Sequence, residues 1–141
     1  EDPAVYQKTM MRLREKIDRS RDNLPSPVII EEEIKEVGII FYGSMENTIG
    51  EIDDILERTG LSVSTCRLRA LPYHSNLEEF ISKHDKNIVL EMNRDGQLFG
   101  ILRKELPLEL LSKVHSVAYS DGMPPRARLY SEKILEVLEE I

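Results

Sequence analysis

From Val37 onward the chain alternates short apolar runs with amphipathic stretches, and that alternation limits its fold more than any other property. Val37-Gly-Ile-Ile-Phe-Tyr42 reads as a buried strand, after which Gly43-Ser44 turns the chain. Ser44 is expected to cap a helix running to about Arg58, with Met45, Ile49, Ile52, Ile55 and Leu56 inward and Gly60 as its stop. Leu61–Leu68 gives a second strand. Ser75 is expected to cap a short helix carrying Leu77, Phe80 and Ile81. Lys86–Met92 is the third strand, followed by a helix from Asp95 to about Leu106 and a further turn after Pro107. Val114–Tyr119 is the fourth strand, and Asp121–Pro125 a tight loop before a last helix carrying Leu129, Ile134 and Leu135. Strands alternating with helices through short loops imply a mostly parallel sheet with helices on both faces. Right-handed crossovers favour the order 2-1-3-4 for these four strands. The switch point then falls between the first and third, and Gly43-Ser44 and Glu91–Gln97 line its crevice.

Residues 1–33 read as an arm, linker and edge strand, and residues 34–141 as the α/β domain. Tyr6, Met10, Leu13 and Ile17 fall at helical spacing over residues 3–20, with Asp2 as N-cap and Pro3 at the first helical position. The prolines of Asn23-Leu-Pro-Ser-Pro27 end that helix, and Val28-Ile-Ile30 can form a short strand. Glu31-Glu-Glu33 reads as a solvated link. The opening Glu-Asp-Pro, without an initiator methionine, suggests a piece of a longer protein.

Net charge decides against several classes of partner. The chain carries −7, but residues 1–21 hold six basic groups against four acids. The remainder is strongly acidic, which argues against nucleic acid as the main partner. No apolar run approaches the roughly 20 residues that span a bilayer, and no signal peptide is apparent, so the chain is expected to be cytoplasmic. Cys66, the single cysteine, cannot form an internal disulfide or supply an iron–sulfur cluster's usual four thiolates, and reads as a buried inert thiol.

The richest chemistry lies in Glu91-Met-Asn-Arg-Asp-Gly-Gln-Leu98. Glu91, Asn93 and Asp95 before Gly96 mimic half a calcium loop, but the twelfth position is Leu102 where a bidentate glutamate is needed, so no metal is expected. A turn built by Asn93 and Gly96, with Asp95 capping the helix, explains the same residues. Arg94 fits that account least, because a guanidinium at a strand end can clamp an anion or pair across an interface. Gly43, Ser44, Asn93, Arg94, Asp95, Gly96 and Gln97 are therefore the candidate substrate or interface residues. Arg126 joins them because, with Arg128, it opposes the macrodipole in the first turn of the last helix. Dinucleotide and P-loop fingerprints are absent. A phosphoacceptor receiver domain would need clustered acids where this chain has Phe41-Tyr42-Gly43. His74, His84 and His115 lack metal-ligand spacing, and His84 closes a helix, where partial positive charge suits the dipole.

Four segments carry a resemblance: Val37–Ser44, Arg67-Leu-Arg-Ala-Leu-Pro72, Glu91–Leu98 and Tyr119-Ser-Asp-Gly-Met-Pro124. In order and on the expected elements, they resemble the C-terminal part of the alpha subunit of 2-oxoacid:ferredoxin oxidoreductases, particularly the 2-oxoglutarate type. The resemblance implies a transketolase C-terminal-like domain, a three-layer α/β/α sandwich of four to five strands with Val28–Ile30 as its antiparallel edge. It also implies oxidative decarboxylation of a 2-oxoacid to its acyl-coenzyme A. Thiamine diphosphate, magnesium and an iron–sulfur cluster would lie elsewhere in the complex, with no cofactor in this piece. The implied partners are the beta subunit, the thiamine-binding domain, ferredoxin and coenzyme A, and the piece itself is expected to be catalytically silent. Pairing with a second copy through uncovered apolar surface is a further expectation. The competing expectation is a stand-alone small-ligand or regulatory domain that uses the switch-point crevice.

Overall fold

The computed structural model describes residues 2–31 and 36–141. Five strands form one sheet: β1 (Val28–Ile30), β2 (Val37–Tyr42), β3 (Val63–Leu68), β4 (Lys86–Glu91) and β5 (Val114–Ala118), in the order β1-β3-β2-β4-β5. β3, β2, β4 and β5 run parallel, in the order the alternation predicts. β1 pairs antiparallel with β3, Val28 lying opposite Arg67 and Ile30 opposite Thr65.

β2 and β4 are central and covered on both faces, which is why they read as continuous apolar runs. Ile39, Phe41, Ile88 and Leu90 point to one face, beneath α2 (Glu46–Arg58) and α6 (Ala127–Glu140). Ile40, Val89, Cys66 and Leu68 point to the other, beneath α3 (Asn76–Lys83), α4 (Gln97–Glu105) and the one-turn α5 (Leu108–Leu111). Each large aliphatic side chain so buried contributes about 1.5–3 kcal/mol relative to exposure. Exposed ion pairs contribute about 0–1 kcal/mol, so the two apolar layers hold the domain together. Gly38 is fixed by this packing. A Cβ there would lie 2.6 Å from Asn87 Oδ1 and 2.7 Å from the Phe80 ring.

α1 (Pro3–Ser20) starts as the residues dictate, with Asp2 Oδ1 accepting from the Ala4 amide at 2.9 Å. None of its residues is buried, and Tyr6, Met10, Leu13 and Ile17 stay 45–60% exposed. The side chains that tie the arm to the body come just after α1 ends. Arg21 pairs with Glu105 and lies over the Tyr73 ring, while Asp22 accepts from Ser75 Oγ at 2.7 Å.

Two local expectations need correction, and a third gains a detail. Ser75 gives its side chain to Asp22 rather than capping α3. Glu31 is largely buried instead of solvated, pairing with Lys83 at 3.2 Å and lying 3.7 Å from His84 Nε2; Glu32 and Glu33 lie outside the described residues. His84 does close α3, but as a fully buried ring whose Nδ1 lies 2.7 Å from the Phe80 carbonyl.

Candidate functional site

The candidate residues gather where β2, β3, β4 and β5 end, and the centre of that edge is Glu91. This last residue of β4 is 1% exposed. Its carboxylate turns back over the following loop. Oε2 accepts from the Leu98 amide at 2.7 Å and Oε1 from the Phe99 amide at 2.9 Å. The positive end of α4 is therefore met by the protein's own anion, in the position where a bound phosphate would otherwise be held.

The loop is built to permit this. Asn93 Oδ1 accepts from the Asp95 and Gln97 amides at 3.1 and 3.2 Å, closing a tight turn. Gly96, at φ +61°, takes the left-handed conformation that returns the chain into the helix. Asn93 Nδ2 donates to Glu91 Oε2 at 2.9 Å and to the Tyr42 hydroxyl at 3.2 Å, linking the ends of β4 and β2. Burial, and then the charge of Glu91, raise the Tyr42 pKa above the ordinary phenol value. Asp95 does not cap α4, contrary to the local rule; it lies outside, gripping Arg94 at 2.6 and 3.1 Å. Arg94 is 87% exposed at the tip. The calcium-like spacing has no convergence in space, because Glu91 faces inward while Asp95 faces solvent. Among the described residues no three of His, Cys, Asp and Glu come together to hold a metal.

Gly43 (φ +62°) opens a single tight turn before α2. Ser44 is no cap either, since its Oγ donates to Met92 Sδ at 3.3 Å. Across the edge, Arg126 precedes α6 at the N-cap position and donates to Asp121 Oδ2 at 2.5 Å. Asp121 also accepts from the Met123 amide at 3.0 Å and the Tyr119 hydroxyl at 3.2 Å. These bonds, the Met123 amide foremost, hold its carboxyl below the usual range. Tyr130, buried, reaches from α6 to the carbonyls of Tyr119 at 3.1 Å and Glu91 at 3.3 Å, tying β5 to β4.

Two grooves flank this centre. One, of about 400 Å³, runs between Gly43, Leu68–Leu71 and the α4 residues Gln97, Leu98 and Ile101. The other, of about 460 Å³, lies between Ser44, Asn47, Met92 and Met123 on the α2 side. Gly43 and Gln97 thus share the first groove, Ser44 lines the second, and Asn93, Arg94 and Asp95 form the turn beside them. Arg126 lies on the β5–α6 loop, where it lines a small pocket together with Met92 and Tyr130. Sequence reasoning missed Glu91 as a cap, Tyr42 and Tyr130 as ties, and Asp121 as the organiser of its loop. An acid ending a central strand just before a helix was the available signal for Glu91.

No family model matches the sequence, and no curated protein sequence matches it. Solved structures do. 2-Oxoglutarate:ferredoxin oxidoreductase from Magnetococcus marinus, solved with 2-oxoglutarate, coenzyme A and succinyl-CoA bound, aligns at a TM-score of 0.78 and 23% identity over 96% of this chain. This chain spans 23% of the length of that one. The alpha chain of a probable 2-oxoacid ferredoxin oxidoreductase from Thermoplasma acidophilum aligns at 0.51 and 16% identity, covering 81% of this chain and 97% of its own. A split-gene transketolase, an inactive beta4 tetramer, aligns at 0.51 and 19% identity over 77% of this chain and 38% of its own. The resemblance carried by Val37–Ser44 and Glu91–Leu98 and the likeness in three dimensions point the same way: this chain has the fold of the matched part of 2-oxoacid:ferredoxin oxidoreductases, a layered mixed sheet also present in transketolase.

Proposed function

We propose that this chain is the C-terminal domain of the alpha subunit of a thiamine-diphosphate-dependent 2-oxoacid:ferredoxin oxidoreductase, with 2-oxoglutarate as the substrate. The enzyme would decarboxylate its substrate oxidatively, passing electrons to ferredoxin and the acyl group to coenzyme A. Within it this domain packs subunits together and shapes access to an active site formed by its neighbours, the thiamine-binding domain and the beta subunit. The observation that carries the reading is the extent of the likeness to the Magnetococcus marinus enzyme. At 96% of this chain, it takes in the α1 arm as well as the sheet.

Two features of this chain support placing the enzyme's cofactors in its neighbours. The mouth of α4 is filled by Glu91, leaving that helix end no place for a diphosphate. One cysteine cannot hold an iron–sulfur cluster of the usual kind. No catalytic step is therefore assigned to this chain's own side chains.

Calorimetry tests the reading on two levels. The chain alone is expected to bind no thiamine diphosphate, and in the intact complex Arg94→Ala is expected to weaken assembly or turnover. Unchanged assembly and turnover would remove Arg94 from the interface. Specific thermal stabilisation of the isolated chain by a nucleotide or by acyl-coenzyme A would favour the stand-alone ligand-binding reading instead.

A further inference from the structure

The loops at the C-terminal edge of the sheet carry cations unlike those of the rest of the chain. Residues 42–47, 67–75, 91–97 and 119–128 hold five arginines and no lysine against four carboxylates. One of those carboxylates, Glu91, is sealed into the α4 cap. Elsewhere in residues 22–141, eight basic groups face eighteen acids. The same edge exposes Tyr42, Leu71, Ile101 and Met123, by 38%, 51%, 37% and 64%. Arginine, tyrosine and methionine together, without lysine, are what protein interfaces concentrate and ordinary surfaces do not.

Arg69 gives the surface a direction. Arg67, Arg94, Arg126 and Arg128 each pair with a nearby carboxylate. Arg69 instead donates through Nε to the Ser26 carbonyl at 2.7 Å, and it has no carboxylate partner among the described residues. Its guanidinium is thus anchored, and paired with no carboxylate of the described residues, where it lines the apolar groove of about 400 Å³.

We infer that this edge is a docking surface for an acidic protein face, one that places an apolar anchor side chain in the groove and a carboxylate on Arg69. Resting on the function proposed above, that face belongs to the thiamine-binding part of the same enzyme. A second copy presenting its own C-terminal edge would bring carboxylates already paired with its own arginines, or sealed in the α4 cap, and so offer Arg69 no free acid.

Hydrogen exchange on the intact complex, isolated through a tag on this chain and compared with the chain alone, tests the inference. Amides of residues 42–44 and 69–71 are expected to exchange about tenfold more slowly in the complex. Arg69→Glu and Leu71→Asp are expected to weaken assembly about tenfold, and Arg69→Glu also to flatten its salt dependence. Leu108→Asp, at a residue 81% exposed near the opposite end of the sheet, leaves assembly unchanged. A complex protected only on α1, or only on α2 and α6, overturns the docking surface and leaves the proposed function standing. A chain that joins no 2-oxoacid oxidoreductase polypeptide overturns both. Edge protection that grows with concentration of the isolated chain overturns the acidic partner in favour of a second copy. Because the exchange comparison uses the unaltered chain, a variant that fails to fold does not remove the test.

Discussion

The Glu91 carboxylate and the Leu98 amide lie 2.7 Å apart, with the end of a strand on one side and the start of a helix on the other. With the Phe99 bond, this contact anchors α4 to β4 through a buried charge. Glu91→Ala removes the cap and leaves two amides without acceptors, and is expected to destabilise the chain by about 2–4 kcal/mol. Glu91→Gln keeps an acceptor oxygen and should lose roughly half as much. Urea unfolding of both variants measures this, and a loss below about 0.5 kcal/mol for the alanine variant would remove Glu91 from that role.

Three glycines predict three different outcomes on replacement by alanine. At Gly38 the new methyl meets Asn87 and the Phe80 ring, so overpacking is expected to destabilise by about 1–3 kcal/mol. At Gly43 nothing is in the way, but φ +62° strains any side chain by about 1–2 kcal/mol. Gly50, exposed within α2 and with open space around it, should give about 0.5–1 kcal/mol of added stability. Thermal denaturation of the three variants checks both the signs and their order.

Acid should loosen the β5–α6 loop. The Asp121 carboxyl is held below its ordinary range, first by the Met123 amide and also by the Tyr119 hydroxyl and Arg126. Asp22, held by the Ser75 hydroxyl and amide, is displaced the same way. A carboxyl whose folded pKa is depressed supports the fold above its unfolded value of about 4 and loses that support as pH falls through the folded value. Stability is therefore expected to fall below about pH 4, and less steeply in Asp121→Asn, as followed by melting temperature against pH. Identical acid limbs for variant and parent would exclude Asp121 as a contributor.

Cys66 should be silent in the native state. It is fully buried on the α3/α4 face of β3, and burial pushes its thiol up to about 12. A thiol-disulfide reagent at neutral pH is expected to leave it unmodified until denaturant is added, then to label one site. Rapid labelling of the folded chain would contradict this packing.

The sheet was legible in the residues and the caps were not. β2 and β4 announce themselves because strands covered on both faces need unbroken apolar runs, and their short connections leave few possible orders. Ser44, Asp95 and Ser75 all satisfied the local rule for an N-cap, and each side chain went elsewhere: to Met92, Arg94 and Asp22. Two of those partners lie 48 and 53 positions away, beyond any window of local pattern. Glu91 caps from seven residues back, which works only because Asn93 and Gly96 fold the turn beneath it. Glu31 likewise depends on Lys83, 52 positions onward. The groove beside Arg69 arises where the ends of β2 and β3 meet α4, so no single segment could disclose it.

The arm carries a consequence of its own. Eighteen residues at about 1.5 Å each make a rod of roughly 27 Å, and no residue of it is buried. Its helicity in isolation then rests on the Asp2 cap and the exposed pairs Arg14–Asp18 and Glu15–Arg19, terms too weak to hold a segment this short firmly wound. Amide exchange at Met10 and Leu13 should therefore act as a gauge, fast when the polypeptide stands alone and slowed once a neighbouring surface grips the rod.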